Sequence, residues 1–190
     1  MRIVHGVFGL VLAIAGTSLA ADPSDFKPFT PKEGGFTVSF PGKPDQSTST
    51  TTTEMGDVAM HQFVARRPKD KETYVVIYCD LPADLVKDAD PEKLLDRMRD
   101  GGAASVHGKP AKESKIKLDA NPGRELEVTG LGGTRLWRLY LVNGRLYQLL
   151  VTTETGQPSA ERAKTFFNSF KLAKEPATTP AATTTPALKS

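Results

Sequence analysis

The chain has 190 residues, enough for one ordinary domain, and its 38% hydrophobic and 25% charged residues favour a folded core over global disorder. Its formal net charge of +3 is too small to indicate a nucleic-acid-binding protein. Cys79 is the single cysteine, so an intramolecular disulfide cannot form.

Residues 1–20 have the pattern of a secretory signal peptide. Arg2 supplies the positive start, an apolar run follows, and Ser18 and Ala20 place small residues where signal peptidase reads, with cleavage expected after Ala20 or Ala21. The alternative is a retained membrane anchor, which needs ~20 apolar residues, and this run is shorter. We therefore expect an exported protein, periplasmic or extracellular, that keeps no stable membrane anchor after cleavage.

Four strands are predicted in the first half of the chain, at residues 36–40, 47–53, 58–66 and 73–79. The first alternates strictly, with Phe36, Val38 and Phe40 on one face. The second consists only of Ser and Thr, which permits a low-complexity loop but favours an exposed edge strand. The fourth is apolar on both faces, which places it centrally in a sheet.

A helix is predicted to begin after Asp90, a good N-cap residue, with Pro91 at its first position. Its buried stripe comprises Leu94, Leu95 and Met98. The pair Gly101-Gly102 weakens the helix, which either stops there or continues to about Val106. Two alternating strands follow, with inward side chains Ile116, Leu118, Leu126 and Val128.

The strongest local signal is Asn143-Gly144, because a type I′ hairpin turn needs positive φ at both central residues. This turn fixes a register that begins with Val142 opposite Arg145 and reaches Leu136 opposite Val151. Cross-strand partners share a face, and both faces of this hairpin are mostly apolar. Both faces are therefore expected to be covered by other parts of the fold.

A final helix is predicted at residues 159–170. Its apolar stripe comprises Ala160, Ala163, Phe166 and Phe170. The order β-β-β-β-α-β-β-β-β-α then predicts an α+β fold, a mostly antiparallel sheet of about seven or eight strands with one helix on each face. Residues 21–172 are expected to form this single domain. Residues 173–190, rich in Pro, Thr and Ala, are expected to form a disordered tail.

Four segments combine turns, core aromatics and a helix end: FPGKP at 40–44, PGRE at 122–125, NGRLYQL at 143–149 and FFNSFKL at 166–172. Together they resemble a group of small bacterial secreted domains without assigned function, whose layout is similar to the PsbP-like α/β/α sandwich. PsbP-like proteins include accessory subunits of photosynthetic complexes and nuclear-transport cofactors. The resemblance implies the sandwich fold but carries over no partner, because none of these segments matches a binding residue of that family.

The residues offer no recognisable catalytic or metal-binding motif. His61 and His107 remain after removal of the signal peptide, and their spacing fits no metal site. Cys79 has apolar neighbours and is interpreted as a core residue in preference to a nucleophile. The glycine-rich run at 130–133 resembles a dinucleotide loop only superficially, since Arg135 replaces the third glycine. We therefore predict no catalytic residue, no metal and no cofactor.

The candidates for recognition are arginines and large aromatics around the central hairpin: Arg124, Trp137, Arg138, Tyr140, Arg145 and Tyr147. Arg138 shares a face with Tyr140 and Tyr147, where it can receive a carboxylate or stack on a ring. The alternative is an arginine at the edge of the core, with its stem packed and its head in water.

Two classes of function fit the sequence. The first is a non-catalytic extracytoplasmic binding or accessory domain, whose partner is an envelope protein or a small ligand and not a nucleic acid. The alternative is an extracytoplasmic hydrolase-type enzyme that uses carboxylate or tyrosine groups, although no paired carboxylates form a convincing constellation. A deep pocket with convergent polar groups favours the enzyme, whereas a groove or exposed patch favours binding.

Overall fold

The computed structural model describes residues 25–53, 56–131 and 133–173, so the predicted signal peptide and residues 174–190 of the predicted tail lie outside the described residues. The strands are β1 (Phe26–Phe29), β2 (Phe36–Pro41), β3 (Asp45–Thr53), β4 (Gly56–Arg67), β5 (Glu72–Asp80), β6 (Lys109–Leu118), β7 (Asn121–Gly130), β8 (Gly133–Val142), β9 (Arg145–Thr153) and β10 (Lys171–Leu172). The helices are α1 (Ala83–Val86), α2 (Pro91–Ser105) and α3 (Ala160–Ser169).

Seven strands form one antiparallel sheet in the order β3-β4-β5-β9-β8-β7-β6, which confirms the predicted architecture. The hydroxyl-rich segment is its edge strand β3, as predicted. Residues 36–40 lie in β2, which belongs to a second sheet, ordered β1-β2-β10, that the sequence did not predict. The strands β1 and β10 escaped prediction because β1 is short and contains Pro28, and β10 has only two residues.

The central hairpin has the predicted register. Val142 pairs with Arg145 and the ladder continues to Leu136 opposite Val151. Asn143 and Gly144 have φ values of 48° and 82°, as a type I′ turn requires. The Asn143-Gly144 turn therefore sets the register of β8 and β9, and this register determines which of their side chains lie on each face of the sheet.

The two faces of the sheet carry separate cores. The α2-side core lies under α2 and includes Cys79, Leu94, Leu95, Leu126, Trp137, Leu139 and Leu146. The α3-side core lies under α3 and β2 and includes Phe36, Phe40, Tyr74, Tyr140, Tyr147, Phe166 and Phe170. Ile116 and Leu118 pack at the margin of the α3-side core, while Leu126 and Val128 are buried on the other side. Helices α2 and α3 thus cover opposite faces of the sheet, as predicted from a hairpin that is apolar on both faces.

Helix α2 begins at the predicted N-cap, where the Asp90 carboxylate accepts a hydrogen bond from the Glu92 N–H at 2.9 Å. It continues through the glycine pair to its last residue, Ser105, and Val106 is its C-cap. Gly102 persists inside the helix because a Cβ there would lie 1.9 Å from the Trp137 ring. The glycine therefore makes room for the indole under the helix.

Helix α3 is capped by Ser159, whose hydroxyl accepts a hydrogen bond from the Arg162 N–H at 3.4 Å. Ala163, Phe166 and Phe170 are buried, as the stripe predicted. Ala160 is exposed, so its assignment to the buried stripe was wrong. It occupies the first position of the helix and borders the groove that is described below.

Candidate functional site

An open groove lies on the α3 side of the sheet, between α3 and the strands β6, β7 and β8. Its volume is about 560 Å³. The lining includes Lys112, Ser114, Glu125, Glu127, Leu136 and Arg138 from the strands, and Ala160, Ala163, Lys164, Phe167 and Asn168 from α3. We call this feature the Arg138 groove.

The groove exists because α3 covers only part of its face of the sheet. Phe166 and Phe170 anchor the helix in the α3-side core, and the helix lies against β2. The outer strand β6 is exposed over most of its length, and Lys112 and Ser114 face the groove from it. Phe167, on the shoulder of the buried stripe, supplies an apolar wall between helix and strands.

A buried carboxylate fixes the beginning of α3. Glu72 accepts hydrogen bonds from the Tyr74 hydroxyl at 2.6 Å, the Ser159 N–H at 2.6 Å, and Arg162 Nε and Nη2 at 2.8 and 2.9 Å. Burial acts to raise the pKa of Glu72, but the donors of Arg162, Tyr74 and Ser159 outweigh it, so that pKa lies below its ordinary value. The ionised carboxylate therefore holds the first turn of α3, and with it one wall of the groove.

Arg138 lies between the strands and the helix, with 20% of its side chain exposed. Its Nε donates to the Glu125 carboxylate at 2.5 Å, and its Nη1 donates to the Asn168 side-chain oxygen at 3.4 Å. The guanidinium carbon lies 4.8 Å from the centre of the Phe167 ring. Arg138 therefore fits both interpretations given for it from the sequence. Its guanidinium packs on the Phe167 ring, and its side chain also borders an open cavity.

The charges of the groove are unevenly paired. Lys112 Nζ lies 2.8 Å from a Glu127 oxygen, and Arg138 is paired with Glu125. Lys164, one turn before Asn168 on the exposed side of α3, has no ion pair with any described residue. Among the described residues, the groove therefore offers one ammonium without a counter-ion beside the apolar wall of Phe167. This arrangement suits an anionic group attached to an apolar body.

Tyr140 and Tyr147 lie on the same face as Arg138, as predicted, but both are buried, at 4% and 3% exposure. They belong to a row of side chains that crosses the sheet on the α3 side: His61, Tyr78, Tyr147 and Tyr140. Phe170 stacks on Tyr140 with ring centres 6.1 Å apart and meets Tyr147 edge-on at 5.5 Å. In this structure the two tyrosines are core residues, and their role in ligand binding stays a prediction.

Arg145 is held at the turn end of the same face. Its Nε and Nη2 donate to the two oxygens of Asp80 at 2.6 and 2.8 Å, and its Nη1 donates to the Glu33 carbonyl at 3.2 Å. The Tyr147 hydroxyl donates to the Gly34 carbonyl at 2.9 Å. The hydrogen bonds from Arg145 hold the pKa of Asp80 below its ordinary value. Arg145 thus fastens the loop between β1 and β2, and it borders a different cavity from Arg138.

Arg124 lies on the opposite face, under α2, with only 2% of its side chain exposed. Its guanidinium is 2.8 Å from Glu92, 2.9 Å from Asp96 and 3.3 Å from Glu113. Trp137 belongs to the same α2-side core. The structure therefore brings four of the six candidates to one face of the sheet, and it places Arg124 and Trp137 on the other face.

Lys164 and Asn168, the polar groove residues of α3, were not predicted from the sequence. Their spacing of four places them on one side of a helix, directly beside the buried stripe. That periodicity signal was available, but it does not tell which strands lie opposite. The position of α3 over the sheet, which only the structure shows, places these side chains in the Arg138 groove.

The groups suited to acid–base or nucleophilic chemistry are scattered. His61 stacks on Tyr78 with ring centres 4.6 Å apart, whereas His107 follows the end of α2. Burial raises the pKa of the Cys79 thiol to about 11. Among the described carboxyl groups, those with a shifted pKa all have it lowered: Asp70, Glu72, Asp80, Glu92, Asp100 and Glu127.

The described residues include neither a cluster of metal ligands nor a membrane-spanning helix. Within residues 25–53, 56–131 and 133–173, no three His, Cys, Asp or Glu side chains are grouped so that they could hold a metal ion. In the same part of the chain, no helix has the length and apolar character needed to cross a bilayer.

The comparisons with known proteins bear on the fold. No protein-family model and no curated protein sequence matches the chain. Among solved structures, the solution structure of cyanobacterial PsbP (CyanoP) from Synechocystis sp. PCC 6803 is similar, with a TM-score of 0.51 and 12% identity over 82% of this chain and 95% of that chain. The chain therefore has the PsbP-like fold that its sequence motifs implied, and at this identity the likeness concerns the fold alone.

Proposed function

We propose that this chain is a non-catalytic binding or accessory domain that works outside the cytoplasm and holds an acidic segment of a partner protein in the Arg138 groove. The observation that carries the proposal is the ammonium of Lys164, which pairs with no described carboxylate and lies at the rim of a groove of about 560 Å³ whose other cations are already paired. The export part of the proposal rests on the signal-peptide pattern of residues 1–20.

The chemistry of the groove favours a carboxylate next to an apolar side chain. Lys164 supplies a positive charge, and the side-chain amide of Asn168 supplies further hydrogen-bond donors beside it. Phe167 and Leu136 supply an apolar surface for a neighbouring aliphatic or aromatic group. Glu125 and Glu127 oppose the binding of polyanions in general, because both carboxylates would repel a ligand that carries several negative charges.

The six carboxyl groups with a lowered pKa favour binding over catalysis. A general acid near neutral pH needs a carboxyl group whose pKa is raised towards the working pH. Here arginine and lysine donors hold the shifted carboxyl groups in the ionised form, in the case of Glu72 against the effect of burial. These groups therefore serve as counter-ions of the fold, and the hydrolase alternative gains no support from them.

The test is a titration of the isotope-labelled domain with blocked tripeptides, followed by amide chemical shifts. One peptide carries Asp between two apolar residues, and the matched peptide carries Asn in its place. We expect shifts centred on Arg138, Phe167 and Asn168, and tighter binding of the Asp peptide, by about fivefold at low salt.

Lys164→Ala is the decisive variant, because Lys164 is exposed and its loss breaks no ion pair among the described residues. It should abolish the preference for Asp over Asn while the fold remains intact. Lys171→Ala, which removes an equally exposed lysine from β10, is the matched control and should leave the preference unchanged. Equal affinity for both peptides in the wild-type protein, or shifts located away from the groove, would contradict the proposal.

A further inference from the structure

The two edges of the seven-stranded sheet are built differently. The outer strand β6 carries the features that prevent strands from pairing with other molecules: Lys109, Pro110, Lys112, Lys115 and Lys117. Its pairing with β7 is also interrupted between Pro110 and Lys112. A foreign strand approaching this edge would meet a row of charges, a missing donor and a break in the ladder.

The opposite edge, β3, has none of these protections after its first residue, Asp45. It pairs with β4 through nine successive residues without interruption, from Asp45 opposite Val64 to Thr53 opposite Gly56. Residues 46–53 contain only Gln, Ser and Thr, with no charge, proline or glycine. Residues 45–51 are exposed. Among the described residues β3 has one neighbouring strand, β4, so about half of its backbone N–H and C=O groups have no strand partner there.

The edge strands of the small sheet are less suited than β3 to pairing with another molecule. Strand β1 has four residues and contains Pro28, and β10 has two residues. Within the described residues, positions 46–53 of β3 therefore form the one long stretch of sheet edge that is free of charge, proline and irregularity.

We propose that two copies of this chain associate through β3, edge to edge and antiparallel, so that two seven-stranded sheets become one continuous sheet. A second copy is the occupant that the composition of β3 fits best. In a register centred on Ser49, the hydroxyl side chains at positions 47–51 of the two copies face one another across the two-fold axis, and such Thr–Thr and Thr–Ser pairs are favourable in sheets. No like charges face each other along residues 46–53.

The protected edge explains why this association stops at two copies. A β3 strand that paired with β6 of another copy would build an open chain of molecules, and the lysines, Pro110 and the broken ladder of β6 oppose that pairing. Pairing of β3 with β3 closes on itself and leaves two protected β6 edges outside. The contact joins single strands and is smaller than a standard interface, so the dimer should dissociate on dilution.

The first test is sedimentation of the full mature chain between about 5 and about 500 µM, a range in which small interfaces dissociate. The wild-type protein should pass from monomer to dimer with rising concentration. Thr50→Lys, which places a charge on the exposed edge, should weaken the association by at least about tenfold. The matched control Ala111→Lys adds the same charge to β6 and should leave the association unchanged.

The second test locates the contact. In a Cys79→Ala background, Ser49→Cys should form an intermolecular disulfide under mild oxidation, because facing residues of antiparallel strands lie within disulfide range. Ala111→Cys should not form one. A wild-type protein that stays monomeric over the whole range, or a dimer that is insensitive to Thr50→Lys and does not cross-link at position 49, would overturn the proposal. Lys164→Ala should leave the dimer intact, which separates this proposal from the groove.

Discussion

Glu72 is the group whose removal should disturb the domain most clearly, and Glu72→Gln is the variant we would make. The side chain is 3% exposed and accepts four hydrogen bonds, two of them from Arg162. Glutamine keeps the size of the side chain but removes the charge, and its amide hydrogens oppose one or more of the donors. The variant therefore leaves the largely buried guanidinium of Arg162 without its main counter-ion.

The magnitude follows from these contacts. Loss of one partner of a buried, hydrogen-bonded ion pair costs about 3–5 kcal/mol. Asp70 remains 3.7 Å from Arg162 and compensates part of the charge, so we place the loss for Glu72→Gln near the lower end, about 3 kcal/mol. Glu161→Gln removes an exposed carboxylate from the same turn of α3 and should cost less than about 0.5 kcal/mol.

The assay is urea unfolding at several pH values. The folded-state pKa of Glu72 is lowered, so its stabilising contribution is fully present above the unfolded pKa of about 4.3 and is lost as the pH falls through the folded-state pKa. At pH 7 the midpoint of Glu72→Gln should fall by about 1.5 M urea with an unchanged slope. At strongly acid pH the wild-type protein and the variant should converge.

Two results would refute this reasoning. A loss below about 1 kcal/mol at pH 7 would mean that the four donors do not stabilise the carboxylate in solution. A difference that stays constant from pH 7 down to strongly acid pH would mean that the effect of the substitution is steric and not electrostatic.

Three further outcomes are expected. Gly102→Ala should lower the melting temperature because its Cβ would lie 1.9 Å from Trp137, whereas Gly101→Ala, with nothing within 4 Å, should raise stability by up to about 1 kcal/mol. Equal effects would contradict the packing of α2. Gly144→Val should cost about 1–2 kcal/mol in urea unfolding because φ is +82°, and a neutral result would contradict the turn. Cys79 should resist a thiol reagent at pH 8 until the domain unfolds, since burial raises its pKa to about 11, and rapid labelling of the native protein would contradict this.

The sequence predicted those parts of the fold that short-range chemistry determines. The Asn143-Gly144 turn fixes the hairpin register, and the alternation of side chains then assigns both faces of β8 and β9. Asp90 and Pro91 mark the beginning of α2 for an equally local reason, the unsatisfied N–H groups of the first turn. In contrast, the space for a glycine inside α2 at position 102 is set by Trp137, a residue of β8 that is distant in the sequence.

The candidate site could be predicted only in part, because it is formed by the position of α3 over the sheet. Arg138 was found from its face of the hairpin. Lys164 and Asn168 escaped, since periodicity gives the sides of a helix but not the strands opposite them. Arg124 lies opposite Leu139 in the ladder, and Leu139 is on the face away from Arg138, so a register for β7 would have separated the two arginines.

The central claim is that the Arg138 groove holds an acidic segment of a partner protein, and site-specific photocrosslinking in the native host tests it most directly. A photoreactive residue at Asn168, inside the groove, is compared with one at Lys93, exposed on α2 on the other side of the sheet. The account predicts a discrete adduct from position 168 only, lost in Lys164→Ala and mapping by mass spectrometry to an acidic segment of the partner. No adduct from position 168, or the same adduct from both positions, would contradict the account.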